Sequence, residues 1–209
     1  MTPDFDRLLI SGIGFSLLTL AFIGWRFGAA RTAVFVIVAG LFPAIMDFIS
    51  SFAVSNYEYP GQSRPWVFTY IFFGWIGVCG TCLLVAEGML ARSGEHLLNA
   101  ARLRWQAPLL AGVIAVLLDL FIDPIAVAAG YWVWIAPANV YYEIPLLNFV
   151  GWFVLMVLAP LAWIEIARRA AWTSTRMLLA ASLSLPLLCV ASIALSLLLN
   201  GAIAMAGLQ

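Results

Sequence analysis

Lysine is absent from this 209-residue sequence, and all ten basic residues are arginine. Ten Asp and Glu balance them, so the net charge is zero and nothing points to nucleic acid as a partner. There is one histidine, His96. A histidine-box iron oxygenase or desaturase needs several imidazole ligands, so that class is excluded. A Ser-His-Asp set is excluded at any site remote from His96. No glycine-rich nucleotide loop is present: Gly12-Ile13-Gly14 sits inside an apolar run and reads as packing. Cysteine is scarce, with Cys79, Cys82 and Cys189 all in apolar runs. Cys79-Gly80-Thr81-Cys82 has redox-motif spacing, but in the middle of such a run its thiols read as small buried hydrophobes.

What the chain has in abundance is apolar sequence. Hydrophobic residues make up 65% and charged residues 10%, with mean hydropathy +1.05. A soluble domain carries about 25% charged residues. The expected fold is an all-α polytopic transmembrane bundle, a single integral membrane domain over residues 1–209. A bilayer core takes about 20 apolar residues per helix. Six spans follow: Leu8–Trp25, Thr32–Phe52, Trp66–Leu90, Ala107–Ala129, Asn148–Ile166 and Met177–Ile203. Pro43, Pro160 and Pro186 fall inside spans, where proline kinks a helix. Met1–Arg7 carries Asp4 and Asp6 against one arginine, which is not the positive start of a signal peptide, so the first run reads as a retained span.

The arginines set an expected orientation. Arg26, Arg31, Arg92, Arg102, Arg104, Arg168, Arg169 and Arg176 fall on one side of the six spans, while Arg7 and Arg64 fall on the other. The positive-inside rule makes the first side cytoplasmic and both termini extracytoplasmic, in a bacterial-type cytoplasmic membrane. Asp47 on the second span and Asp119 and Asp123 on the fourth then share the outer half. Glu58 and Glu143 lie in the outer loops above them. Glu87 and Glu165 lie at the inner ends of their spans and read as interfacial.

Asp119 and Asp123 are four residues apart, so their carboxyls share one helix face. Acids inside hydrocarbon are costly and mark a functional site. Tyr57-Glu58-Tyr59-Pro60 after the second span and Tyr142-Glu143-Ile144-Pro145 after the fourth form a faint repeat. Spans 2–3 and 4–5 are on this evidence candidate duplicated hairpins, with a site between the halves.

The DxxxD spacing of Asp119 and Asp123 is used by prenyl transferases to bind magnesium diphosphate, but only Arg64 is available outside to neutralise phosphates. Acid chemistry on an apolar substrate fits better. A carboxyl withdrawn from water favours its neutral form, and two close together cannot easily both ionise. A neutral buried acid is what protonation of a trisubstituted alkene requires. The resulting tertiary carbocation is stabilised by aromatic faces, which Trp132, Trp134, Tyr141, Tyr142 and Trp152 supply. Water capture or ring closure completes the reaction, with a second carboxylate as base. As bland alternatives, the aromatics suit an interfacial belt and Asn148 suits a helix cap. The residues alone leave an enzyme and a non-enzymatic lipid or proton-coupled carrier both open.

The run Asp119…Asp123-Pro124, Gly130-Tyr131-Trp132-Val133-Trp134, Tyr141-Tyr142-Glu143-Ile144-Pro145 and Asn148-Phe149-Val150-Gly151-Trp152 resembles the carotenoid biosynthesis membrane protein family, which includes carotenoid hydratases of the bisanhydrobacterioruberin hydratase and gamma-carotene 1'-hydratase type. Asp47 with Tyr59-Pro60-Gly61 resembles the family's first acidic helix. Glu143 stands where the family usually has glycine. The resemblance implies addition of water to a terminal isoprenoid double bond of a carotenoid, without a redox cofactor or metal. It makes Asp119 and Asp123 the acid pair, with Asp47 facing them and Asp47 or Glu143 positioning water. Trp132, Trp134, Tyr141, Tyr142, Asn148, Trp152 and Tyr59 become the substrate-binding set. A membrane lycopene-type cyclase would use the same acids. The expected partners are a hydrophobic carotenoid substrate and the lipid bilayer, with other enzymes of the carotenoid pathway as candidates.

Overall fold

The computed structural model describes residues 4–136 and 139–207. Met1–Pro3 of the N-terminal stretch considered above lie outside them. Among the described residues, six helices are long and apolar enough to cross a membrane. They are α1 (Phe5–Phe27), α2 (Ala29–Phe52), α3 (Arg64–Leu90), α4 (Leu103–Ala128), α5 (Leu146–Ala167) and α6 (Ser174–Met205). Each matches an expected span to within a few residues. Hydrocarbon offers no water to pair backbone groups, so each apolar run closes its hydrogen bonds within itself. The chain is an integral membrane helical bundle.

The central helix is α3. Helices α1 and α4 pack on its flanks, α5 packs on α4, α6 on α5, and α2 fills the space between α3, α5 and α6. Small residues allow the close approaches, as they must where lipid is as apolar as leucine. A Cβ on Gly77 or Gly80 of α3 would run into Phe15 or Thr19 of α1. Ser16 of α1 donates to the Phe73 carbonyl of α3.

Helix α2 is not uniform. Residues Val36–Leu41 form a wide π turn, in which the Phe42 N–H reaches back to the Ile37 carbonyl. Pro43 follows at once, with no N–H to donate and a ring that crowds the preceding turn. One extra residue in a turn rotates everything beyond it by about 100°. The π turn therefore decides which face of α2 carries Asp47. Pro160 and Pro186 lie within continuous helices.

The arginine-rich end is tied together tightly. Glu87 is 2% exposed and accepts from both Arg26 terminal nitrogens, at 2.5 and 2.9 Å, and from the Leu97 N–H at 2.8 Å. At the end of its span, Glu87 is a buried anchor between α1, α3 and the loop after α3. Arg31 donates to the Ala167 carbonyl at 2.9 Å, and Glu165 pairs with Arg104.

At the opposite end, short strands join the two long loops. β1 (Tyr57–Glu58) pairs antiparallel with β2 (Val133–Trp134), setting Tyr57 against Trp134. β3 (Asn139–Tyr141) and β4 (Ile144–Pro145) form a hairpin. Tyr142 and Glu143, at its tip, have φ of 46° and 63°. The two similar tetrapeptides thus fold differently: Tyr57-Glu58 is a strand and Tyr142-Glu143 is a positive-φ turn.

Candidate active site

Asp119 and Asp123 lie on the buried face of α4, at 0% and 2% exposure. Asn148, in the first turn of α5, joins them. Its Nδ2 donates to Asp119 Oδ2 at 2.6 Å and to Asp123 Oδ2 at 2.7 Å. One amide has two N–H groups, so a single side chain bridges both acids. Asn148 makes no cap bond to its own helix, so the bland alternative of a cap gives way to this bridge. The second oxygen of Asp123 accepts from Trp132 Nε1 at 2.7 Å. Asp119 Oδ1 is buried and has no hydrogen-bond partner among the described residues.

Trp132 reaches Asp123 because the chain reverses over the end of α4. The Gly130 N–H bonds the Val127 carbonyl at 3.0 Å and the Tyr131 N–H bonds the Ala126 carbonyl at 2.9 Å. This is the paired closure of a helix ended by a left-handed residue, and Gly130 has φ 77°. A side chain there would be strained, so glycine sets the path of the aromatic loop.

Asp47 faces the pair from α2. It accepts from Tyr57 Oη at 2.6 Å, Tyr59 Oη at 3.0 Å and Trp75 Nε1 at 3.2 Å. Burial, and then the neighbouring Asp47 charge, hold the Tyr57 and Tyr59 hydroxyls well above the usual tyrosine range. Both therefore stay protonated donors at any physiological pH. Trp75 also packs on Trp152, ring centroids 4.8 Å apart.

These groups wall a cavity of about 400 Å³ between α1, α3 and α4. Of the expected site residues, Asp47, Tyr59, Asp123, Trp132, Trp134, Asn148 and Trp152 line it, and Asp119 lies directly behind Asp123 and Asn148. Because α1 and α4 pack mainly on α3 and not on each other, the cavity is a cleft whose rim reaches the lipid-facing surface at Phe15, 42% exposed. A second cavity of about 440 Å³ lies between α2, α5 and α6 and shares the Asp47–Asn148 wall.

Three expected residues stand apart. Tyr141 and Tyr142 are 38% and 70% exposed and meet edge to face, ring centroids 4.6 Å apart. Glu143 is exposed beside them. None of the three lines either cavity. The left-handed tip of the β3–β4 hairpin carries these side chains outward, apart from the acids with which the resemblance groups Glu143 and both tyrosines.

Tyr57, Tyr70 and Trp75 line the cavity and were missed as site residues in the sequence. A signal for Trp75 existed. Phe72-Phe73-Gly74-Trp75 of α3 echoes Phe149-Val150-Gly151-Trp152 of α5, and the two tryptophans meet. Tyr70 gave no comparable sign.

The site combines a bridged acid pair, a third carboxyl and a wall of aromatic rings. Among the described residues that line it, none is cationic. It suits proton transfer to an apolar molecule and offers no anchor for phosphates. No curated protein and no solved structure matches the chain. The family model described as carotenoid biosynthesis protein matches residues 8–208, nearly the whole chain and all six helices. The chain therefore belongs to the carotenoid biosynthesis protein family and has a role in carotenoid biosynthesis.

Proposed function

We propose that the protein is an enzyme that hydrates a terminal isoprenoid double bond of a carotenoid. The reading rests above all on the amide-bridged acid pair in the wall of an aromatic cavity, opposite a third carboxyl. Two carboxyls clamped by one amide, with no cation beside them, hold at least one proton, because two like charges repel strongly in an apolar medium. Asp123 faces the cavity and delivers that proton to the alkene, while Asp119 backs it. Asp47, which accepts three hydrogen bonds, takes a proton from the attacking water. Positioned proton transfer contributes about 10²–10⁴-fold to such a rate. The tryptophan faces screen the carbocation between the two steps.

The cavity's size supports binding of one end of a long polyene. A cavity of roughly 300–1,000 Å³ buries a drug-sized molecule, so the remaining chain leaves between α1 and α4 and lies in lipid. The arginine-rich end is read as cytoplasmic. That puts the site in the outer half of a bacterial-type cytoplasmic membrane, with both termini extracytoplasmic and other enzymes of the pathway as candidate partners.

The test is pigment analysis after expression in a bacterium that accumulates lycopene. The expected product is one water heavier than lycopene, and Asp123→Asn removes it without loss of protein from the membrane. A product of unchanged mass and altered spectrum would replace hydration by cyclisation. Unchanged pigment would refute action on this substrate.

A further inference from the structure

Two donors on the cavity wall make no hydrogen bond of normal geometry. Tyr70 is 6% exposed, and its hydroxyl is buried without a hydrogen-bond partner among the described residues. Trp134 Nε1 is in the same condition. Both side chains line the cavity that holds Asp47 and Asp123. Each sits one ring away from a phenol that grips Asp47: the Tyr70 ring lies 5.5 Å from Tyr59, and the Trp134 ring lies 4.7 Å from Tyr57. A buried polar group without a partner is costly, and native proteins rarely keep one without a use. Here two such groups flank one carboxylate inside an otherwise apolar cleft.

We infer that Tyr70 and Trp134 form a site for a single oxygen atom, that of the water which captures the carbocation. The inference rests on the hydration reading above. An indole N–H only donates, so the oxygen accepts from Trp134. A phenol donates or accepts, so Tyr70 completes the grip on the resting oxygen. The oxygen's own hydrogens are left for Asp47, and the lone pair held by Tyr70 turns to the cation when it forms. The steps balance. The Asp123 carboxyl proton forms a C–H bond at one alkene carbon as the π bond breaks. A lone pair of the held water forms the C–O bond at the tertiary cation. The surplus water proton passes to Asp47, and exchange with solvent returns the acids to their starting state. The net change is addition of one water.

The same geometry assigns these residues a selective role. A cation with no water in place loses a proton from a neighbouring carbon and reverts to an alkene, either the starting one or its double-bond isomer, of unchanged mass. Tyr70 and Trp134 decide between the two outcomes without taking part in the first protonation.

The experiment compares wild type, Tyr70→Phe and Trp134→Phe in membranes supplied with lycopene. The ratio of hydrated product to unchanged-mass isomer is read by chromatography and mass spectrometry. Tyr70→Phe removes only a hydroxyl, so a purely structural role predicts no change in ratio and no loss of thermal stability; Trp134→Phe also thins the packing on Tyr57 and is read by the ratio alone. The inference predicts a fall in the ratio of about tenfold in each variant, the worth of one hydrogen bond, with the Tyr70→Phe thermal midpoint no lower than wild type. A wild type that makes hydrate, with both variants keeping its ratio, overturns this site and leaves the hydratase reading standing. A wild type that makes no hydrate overturns the hydratase reading and this site together.

Discussion

Replacing Asn148 by Ala tests the arrangement most directly. The amide donates to Asp119 and Asp123 at 2.6 and 2.7 Å and does nothing for its own helix. An interhelical hydrogen bond in a membrane is worth about 0.6 kcal/mol on average and about 1.7 at most. Two such bonds make the expected loss of stability about 1–3 kcal/mol, small enough for the variant to stay folded. The effect on turnover is larger. Without the bridge, nothing holds Asp123 in register against the alkene, and a misplacement of about 1 Å costs on the order of 10²-fold in rate. Asn148→Gln keeps the donors on a longer arm and is expected to fall between wild type and Ala. Asn148→Asp adds a third carboxyl to the pair and is expected to be worse than Ala. The assay is lycopene conversion in membranes beside thermal unfolding of the same protein in detergent. Full conversion by Asn148→Ala would refute the claim that the bridged pair is the acid.

Two further outcomes follow from the geometry. Gly40 sits in the π turn of α2, where a Cβ would lie 2.8 Å from side-chain atoms of both Ile76 and Phe72. Gly40→Val is expected to cost about 1–3 kcal/mol by overpacking and to shift the helix that carries Asp47, lowering the thermal midpoint and conversion together; an unaltered midpoint would contradict the packing described. The hairpin tip predicts the reverse behaviour. The double variant Tyr142→Ala, Glu143→Gln, with both side chains exposed, is expected to convert lycopene like wild type, and a severe loss would show that the tip closes over the cavity during turnover.

The hydropathy of this chain determined its six helices nearly to their ends, because in hydrocarbon an apolar run must satisfy its own backbone. Residue spacing likewise put Asp119 and Asp123 on one face of α4, since helical periodicity is local. The family signature, too, is carried by contiguous residues. Tertiary structure alone decided the rest. Asn148 looked like a cap and became a bridge, because that depends on how closely α5 approaches α4, where Gly112 meets Val157 and Phe153. Tyr70 and Trp75 became cavity wall because α1 and α4 part over α3. Glu143 looked like a third acid and was carried outward by two left-handed residues at a hairpin tip, a choice of backbone conformation that no side-chain pattern announces. Asp47 meets the acid pair only because a π turn before Pro43 rotates the end of α2. Spacing along one element is written in the chain. Distance between elements is set by packing, and the site is made of such distances.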